Sequence, residues 1–551
     1  MRSAILLIAL ATRVAAQRPT SPPPAAAAQQ DTFSRNEQRE DPRVAPARHE
    51  GEGPFTRLII RGATLIDGYG GPPRGPVDII VDGNRIVDIV SVGTPRVPVD
   101  STRRPKGAQR EINASGMYVM PGIVDIHVHQ GTKQKAPESE YYNKLWLAHG
   151  ITTVRGVPFA SFAYSVGEKK RSAANEITAP RYVVYQRPGT GWGRGPVRTP
   201  EQAREWVRWI AQNGADGLKL GAERRDIMAA LLDEAKKLGL GSTAHLQQTG
   251  VAQMNADDAT RLGLQTVTHF YGVFESMYDR NDIQPWPVEM NYDDEEDRFG
   301  QVARQWNLVT PHSEKWNQLL KNFKERDVTL DPTMTAYLTG RDVTKRMNEP
   351  WHSKYTLQQL WDYYSPSRTN HGSYFYNWTT ADEVAWRNFY RVWMEFLNDY
   401  KNMGGRVTAS SDAGFIYNTP GFSTIEEMEL LQEAGFHPLE VIRGATLHAA
   451  ETLALTKTKN GEEVDFGVVR SGALADMLIV DQNPLANLKV LYGTGWFRLN
   501  DATRKVDQVG GVKYTIKDGI VYDAKKLLAD VAKMVEESKR KINAADKASQ
   551  K

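Results

Sequence analysis

The 551-residue chain contains no cysteine. That excludes disulfides and any lipid anchor carried on a thiol. A charge bias is missing too: Lys and Arg total 69 and Asp and Glu 66, for a formal net charge of +3. This near-balance gives no global reason to expect nucleic acid or an anionic membrane as a partner. Past the first residues, no run is long and apolar enough to span a bilayer. The Gly-rich stretch PGTGWGRG (188–195) lacks the Gly-Lys-Ser/Thr of a phosphate loop.

What is present begins with a leader-like segment. Arg2 is followed by the apolar run AILLIALA (4–11) and by small residues before Gln17. Residues 1–16 read as a secretory signal peptide, which places the mature protein in the periplasm or outside the cell, with no stable membrane insertion after its removal. Residues 17–54, centred on PPPAAAAQQ, cannot bury an apolar face and read as a disordered linker. Order is expected from Phe55. Short β-branched runs at 58–67, 77–83 and 85–93 are matched near the other end by 475–481 and 512–524. They predict a small β-sandwich domain built from both termini, 55–120 with 467–525. Residues 526–551 read as a charged, solvated helix.

Between them, 121–466 alternates strand-like and helical segments. The strand candidates are 122–129, 152–157, 181–186, 217–220, 241–246, 266–271, 328–334 and 406–414, with amphipathic helices such as 200–214 and 226–239 between them. Eight β segments with helical crossovers predict an α/β fold, a TIM (β/α)8 barrel. Two inserts, roughly 273–326 and 337–400, interrupt the rhythm.

Several of these strands carry polar residues where burial costs free energy unless the group is satisfied. His127 and His129 are two apart, so on a strand both point to one face and make half of a metal site. Lys219 lies within the apolar GLKL, where burial drives its amine towards the neutral form. A neutral amine can add CO2 to give a carbamate able to bridge two metals. His245 and His269 close later strands. Asp412 ends the last strand, where a carboxylate can bind metal and take a proton from water. In a barrel these strand ends face the active-site mouth. The six fall on strands one, one, four, five, six and eight, an order hard to obtain by chance.

The segments PGIVDIHVH, GADGLKL, TAHL, TVTH and SSDAG resemble the metal motifs of the amidohydrolase superfamily. HGITTVRG (149–156), the helical stretch 430–455 and ALADMLIVDQNPLANL (473–488) extend the resemblance to about 57–525. It is closest to the imidazolonepropionase-like and prolidase-like group, in which a strand-four Lys marks binuclear hydrolases. The resemblance implies two divalent ions, zinc by expectation, a CO2-derived carbamate on Lys219, and hydrolysis of a C–N amide or peptide bond. This chain departs from the group in reading Ser-Ser-Asp where relatives commonly have Gly-Thr-Asp, and THFYG where many have Glu before the His.

Arg155, at the end of strand two, reads either as a clamp for a substrate carboxylate or as half of a structural pair with a neighbouring acid. Tyr271 reads as an oxyanion donor or as packing, and Tyr185 is a candidate substrate contact. An aromatic-dense stretch, 351–393, reads as packing at the barrel rim or as a lid. The expected partner is a small molecule, a dipeptide or N-acyl amino acid, with a homo-oligomer open. The rivals are a mononuclear cyclic-amide hydrolase or deaminase, and a non-catalytic exported scaffold.

Overall fold

The computed structural model describes residues 40–549 apart from 96, 280–283, 369–370, 456–457 and 459. The leader and most of the predicted linker lie outside the described residues. Among the described residues no helix is long and apolar enough to cross a membrane.

Five strands open the ordered chain: Leu58–Leu65 (β1), Arg74–Asp82 (β2), Arg85–Ser91 (β3), Arg110–Asn113 (β4) and Tyr118–Pro121 (β5). Eight follow: Ile123–Val128 (β6), Ile151–Gly156 (β7), Arg181–Gln186 (β8), Gly217–Leu220 (β9), Gly241–Ala244 (β10), Thr266–Thr268 (β11), Thr329–Asp331 (β12) and Arg406–Val407 (β13). These eight coincide with the eight predicted segments and pair in sequence order, all parallel. A bridge between Val128 and Ala413 closes the ring, with Asp412 N–H donating to His127 O at 2.9 Å. Strands β6, β7 and β9 are buried along their whole length. That explains why they read as continuous apolar runs and not as alternation.

The crossover helices follow from local chemistry. Thr199 caps Pro200–Gln212, its side chain accepting from Gln202 N–H, with Pro at the first turn. Ala203, Trp206, Val207 and Ile210 form the buried stripe of that helix. The long helix Thr380–Asn402 starts with a capping box between Thr379 and Asp382. It packs Trp386, Phe389 and Trp393 onto Phe270 beside the sixth strand. Most of the aromatic stretch is therefore core, with Trp351, Tyr355, Tyr364, Tyr374 and Phe375 all buried.

Met477–Val480 (β14), Trp496–Asn500 (β15), Lys505–Val509 (β16), Val512–Lys517 (β17) and Ile520–Asp523 (β18) complete the strands. The small domain is assembled from both termini in the order β18-β17-β14-β5-β1-β2-β3, with β4 beside β1. Its strands form one hydrogen-bonded sheet. β14 seals the junction by pairing with β5, setting Leu478 opposite Met120. Among the described residues, strands β15 and β16 pair only with each other.

Two segments correct the sequence reading. Residues 40–54 are not linker but a strap along the barrel. Arg43 N–H donates to Pro137 O at 2.8 Å, Arg48 N–H to Glu176 O at 2.7 Å, and Glu52 N–H to Val521 O at 3.0 Å. Its backbone bonds go to other segments, so no local periodicity announces it. The C-terminal helix, Ala524–Ser549, is charged but not fully solvated: Leu527, Leu528, Val531 and Val535 are buried. Lys144, on helix Ser139–Ala148, meets Asp530 at 3.2 Å.

Candidate metal centre

The strand ends bring His127, His129, Lys219, His245, His269 and Asp412 to one end of the barrel. Lys219 Nζ lies 3.2 Å from His127 Nε2. Asp412 Oδ1 is 3.6 Å from His127 Nε2 and 3.2 Å from His129 Nε2, and its Oδ2 is 3.7 Å from His269 Nε2. The His127 ring centroid is 5.1 Å from that of His269 and 5.6 Å from that of His129, while His245 and His269 are 4.6 Å apart. Adjacent strands pin the backbones: His245 N–H donates to Leu220 O at 3.0 Å and His269 N–H to Asp331 O at 2.9 Å. His269, Thr333 and Asp412 hold positive φ of 66°, 47° and 47°. Left-handed backbone at non-glycine residues is strained, and strain of this kind gathers at functional sites.

Burial sets the electrostatics. It lowers the imidazoles of His127, His245 and His269 and takes His129 to about 4, so all four favour the neutral, ligating form. Lys219 is pushed down to about 7 by burial and by the charge of Arg187. At Asp412 burial acts to raise the pKa, but the imidazoles of His127, His129 and His269 outweigh it and hold the carboxyl well below its usual value.

The donor set fits a metal ion. One ligand atom each from His127, His269 and Asp412 lie within 4.8 Å of one another. The buried His269 Nε2 has no hydrogen-bond partner, and Asp412 Oδ1 makes no well-directed hydrogen bond. Orphaned buried groups aimed at a common point are what a cation would satisfy. The outer nitrogens are held as metal-bound histidines require: His129 Nδ1 by Pro158 O at 3.1 Å, His269 Nδ1 by Thr333 Oγ1 at 2.5 Å, and His127 Nδ1 by Asp331 Oδ2 at 3.2 Å.

Asp331 and Asp125 were missed in the sequence. Asp331 accepts from Thr408 Oγ1 at 3.0 Å and pairs with Arg155 at 3.4 Å. Burial raises its carboxyl, but His127 and Arg155 bring it down to about 2. Asp125 accepts from Thr424 Oγ1 at 2.7 Å and from the backbone N–H of His127 and Ser411 at 3.1 and 3.2 Å, tying strand one to the Asp412 loop. Burial pushes it up to about 7 against those bonds. The signal for Asp125 was its place in the DIHVH motif. Asp331 had only its position at the end of a short apolar run.

Of its two readings Arg155 takes the structural pair, and Tyr185 lies away from the mouth. Arg155 does not open onto the mouth: its side chain is 1% exposed, paired with Asp331 and set 4.8 Å over the Tyr185 ring. Tyr185 is buried inside the barrel wall, its ring lying where Gly217 and Gly241 leave room; a Cβ on Gly241 would fall 1.7 Å from the Tyr185 hydroxyl. Both side chains point to the interior because the inner barrel must be filled. Tyr271 does adjoin the centre, stacked on His245 at 4.6 Å, with its hydroxyl 3.4 Å from that of Tyr337. Arg187, which sequence reading passed over, follows β8 directly and is half-buried.

No protein-family model matches the chain. Over 190 residues it is 40% identical to N-acyl-D-aspartate deacylase of Alcaligenes xylosoxydans xylosoxydans, a stretch covering 33% of this chain and 35% of that enzyme. Over 49 residues it is 49% identical to adenine deaminase of Methanoculleus marisnigri, 9% of each protein. The chain thus spans little more than a third, at most, of these curated relatives. A solved Xaa-Pro dipeptidase, with methionine bound in its active site, covers 85% of this chain and 100% of its own, at 17% identity and a TM-score of 0.54. The barrel beside a sheet drawn from both ends of the chain is the fold this chain shares with that dipeptidase.

Proposed function

We propose that the protein is a metal-dependent hydrolase that cleaves a C–N amide or peptide bond of a small substrate, a dipeptide or N-acyl amino acid, outside the cytoplasm. The observation that carries this reading is the convergence of four histidines, Lys219 and Asp412 around unsatisfied donor atoms. His127, His129, His245, His269 and Asp412 would hold two divalent ions, zinc by expectation. Lys219 would join them after its neutral amine adds CO2 and releases a proton to become a carbamate. Bound there, the ions would supply a water of lowered pKa and a polarised substrate carbonyl.

The chain's own groups do the rest. Asp412, held ionised, takes the proton of the attacking water and passes it to the leaving nitrogen, so charge and protons balance over the cycle. Tyr271, beside His245, is placed to donate to the oxygen that gains charge at the scissile carbonyl. Arg187, directly after β8, is a candidate to attract a substrate carboxylate, since its charge bears on both Lys219 and His245.

The matched stretch of the N-acyl-D-aspartate deacylase favours an N-acyl amino acid, and the dipeptidase fold a dipeptide. A deaminase reading has the short adenine deaminase match in its favour. Lys219 at the centre argues against it, since a mononuclear site has no use for a bridging group. The test combines metal analysis with a substrate screen. Two ions per chain with hydrolysis of dipeptides or N-acyl amino acids supports the proposal. One ion with ammonia released from adenine replaces it with the deaminase, and a chain that takes up no metal ends both.

A further inference from the structure

Strands β15 and β16 form a two-stranded ribbon, joined by residues 501–504, that pairs with no other strand among the described residues. Residues 497–499 and 501–508 are exposed, so the ribbon projects from the molecule. Its base is fixed by Trp496, over which Lys489 Nζ sits at 4.7 Å, and by Gly495, Gly510 and Gly511, all at positive φ. The register pairs Phe497 with Gln508, Leu499 with Val506, and Arg498 with Asp507. Directly paired residues share a face. One face therefore shows Phe497, Leu499 and Val506, which are 55%, 58% and 64% exposed, and the other shows Arg498, Asp507, Asn500 and Lys505. An isolated two-stranded ribbon is marginal in water, and an unpaired edge is a template for another strand.

We infer that this ribbon is a self-association arm, whose β16 edge pairs antiparallel with β16 of a second copy of the chain. The sequence of the edge selects that occupant. β16 reads Lys-Val-Asp-Gln-Val, with opposite charges two residues apart on one face. A two-fold axis through Val506 sets Lys505 of each copy against Asp507 of the other and Val506 against Val506. The same register extends one apolar row across four strands, Leu499, Val506, Val506, Leu499. β15 reads Trp-Phe-Arg-Leu-Asn and has no acid, so its own edge offers no such pairing. Pairing β15 with β16 of the next copy would be head-to-tail and would not close, whereas the β16–β16 contact is isologous and ends at a dimer.

The experiment is sedimentation velocity on the full chain over a range of concentrations, with charge variants of the edge. The wild-type chain should associate reversibly. Lys505→Glu and Asp507→Lys should each raise the dissociation constant by at least about tenfold, through two like-charge pairs per interface. The double variant Lys505→Glu/Asp507→Lys should recover most of that loss, because the pairs are restored with signs exchanged. Amide hydrolysis and metal content should stay unchanged in all three, which separates this inference from the functional proposal and certifies folding. If the ribbon dimer is only one contact in a larger assembly, the single variants should split it into smaller units that the double variant rejoins. A chain that stays monomeric at every concentration, or an oligomer indifferent to these variants, overturns the inference.

Discussion

At the residue scale, three side chains carry separable tests. Asp412→Asn keeps shape and a weak ligand oxygen but cannot take a proton, so turnover should fall by roughly 10²–10⁴ with metal content preserved. Near-normal turnover would falsify its role in proton transfer. Asp331 and Arg155 act through His127: the carboxylate holds Nδ1 at 3.2 Å and the guanidinium holds the carboxylate. Arg155→Met should therefore weaken metal retention, by about 10–100-fold in a chelator competition, and slow carboxylate and amidated substrates alike. A loss confined to carboxylate substrates would return Arg155 to the mouth, against its observed burial. Lys219 gives a pH test in metal-free protein. Its pKa falls from 10.5 in the unfolded chain to about 7 in the fold, so below pH 7 the fold bears the full cost of a buried charge. That cost shrinks as pH rises from 7 and is gone above the unfolded value. Lys219→Met should thus raise Tm at pH 6–7 and lose the advantage near pH 10; thermal scans across that range would show it, and an equal shift at both ends would be the wrong result.

At the scale of elements, what sequence could show followed from whether an element's partners are implied by its own pattern. The barrel strands are buried on both faces along most of their length, so they read as short, largely apolar runs, and the spacing of helices between them implies the rest. The metal-site residues were legible because a polar group in such a run needs a reason. Arg155 passed the same filter and kept two readings open, because the run alone does not say whether a strand-end residue points up to the mouth or in to an acid such as Asp331. The strap at 40–54 left no mark, since its bonds go to Pro137, Glu176 and Val521, far along the chain. Yet it braces the loops around His129. Glu40 O accepts from Lys133 N–H at 3.1 Å, and Asp41 accepts from Ser161 N–H at 2.9 Å, on either side of Pro158, which holds the His129 ring. A chain beginning at residue 48 should retain the barrel but exchange amide hydrogens faster over 131–139 and 159–165. Hydrogen exchange by mass spectrometry reads this directly, and unchanged protection there would mean the strap is only an appendage.

At the scale of the whole molecule, the small sheet and the barrel are built to fold as one. Only Gly122 separates β5 from β6, and a Cβ there would come within 2.2 Å of the Thr152 hydroxyl. Arg181, at the start of β8, reaches out of the barrel to Asp476 and Asp518 at 2.5 Å each, and Lys517 Nζ donates to Ser172 O at 2.8 Å. Burial lowers the attraction of Arg181 for its proton, but the two carboxylates more than compensate and hold the guanidinium charged. Charged pairs of this kind are costly to leave half-made, because removing one partner strands the others in low dielectric. Arg181→Met leaves the buried Asp476 without its cation, while Asp518 keeps Lys517 at 2.9 Å, and should cost about 3–5 kcal/mol. Since β14, β17 and β18 come from the far end of the chain and pair onto β5, loosening this tie should not release the sheet while the barrel stays folded. Calorimetry of the metal-free chain should show one transition for both proteins, with calorimetric and van 't Hoff enthalpies in agreement and the variant's Tm lowered. A variant that melts in two steps, the first without change in the barrel's aromatic signal, would show that the sheet is an independent domain and that the junction at Gly122 is a hinge.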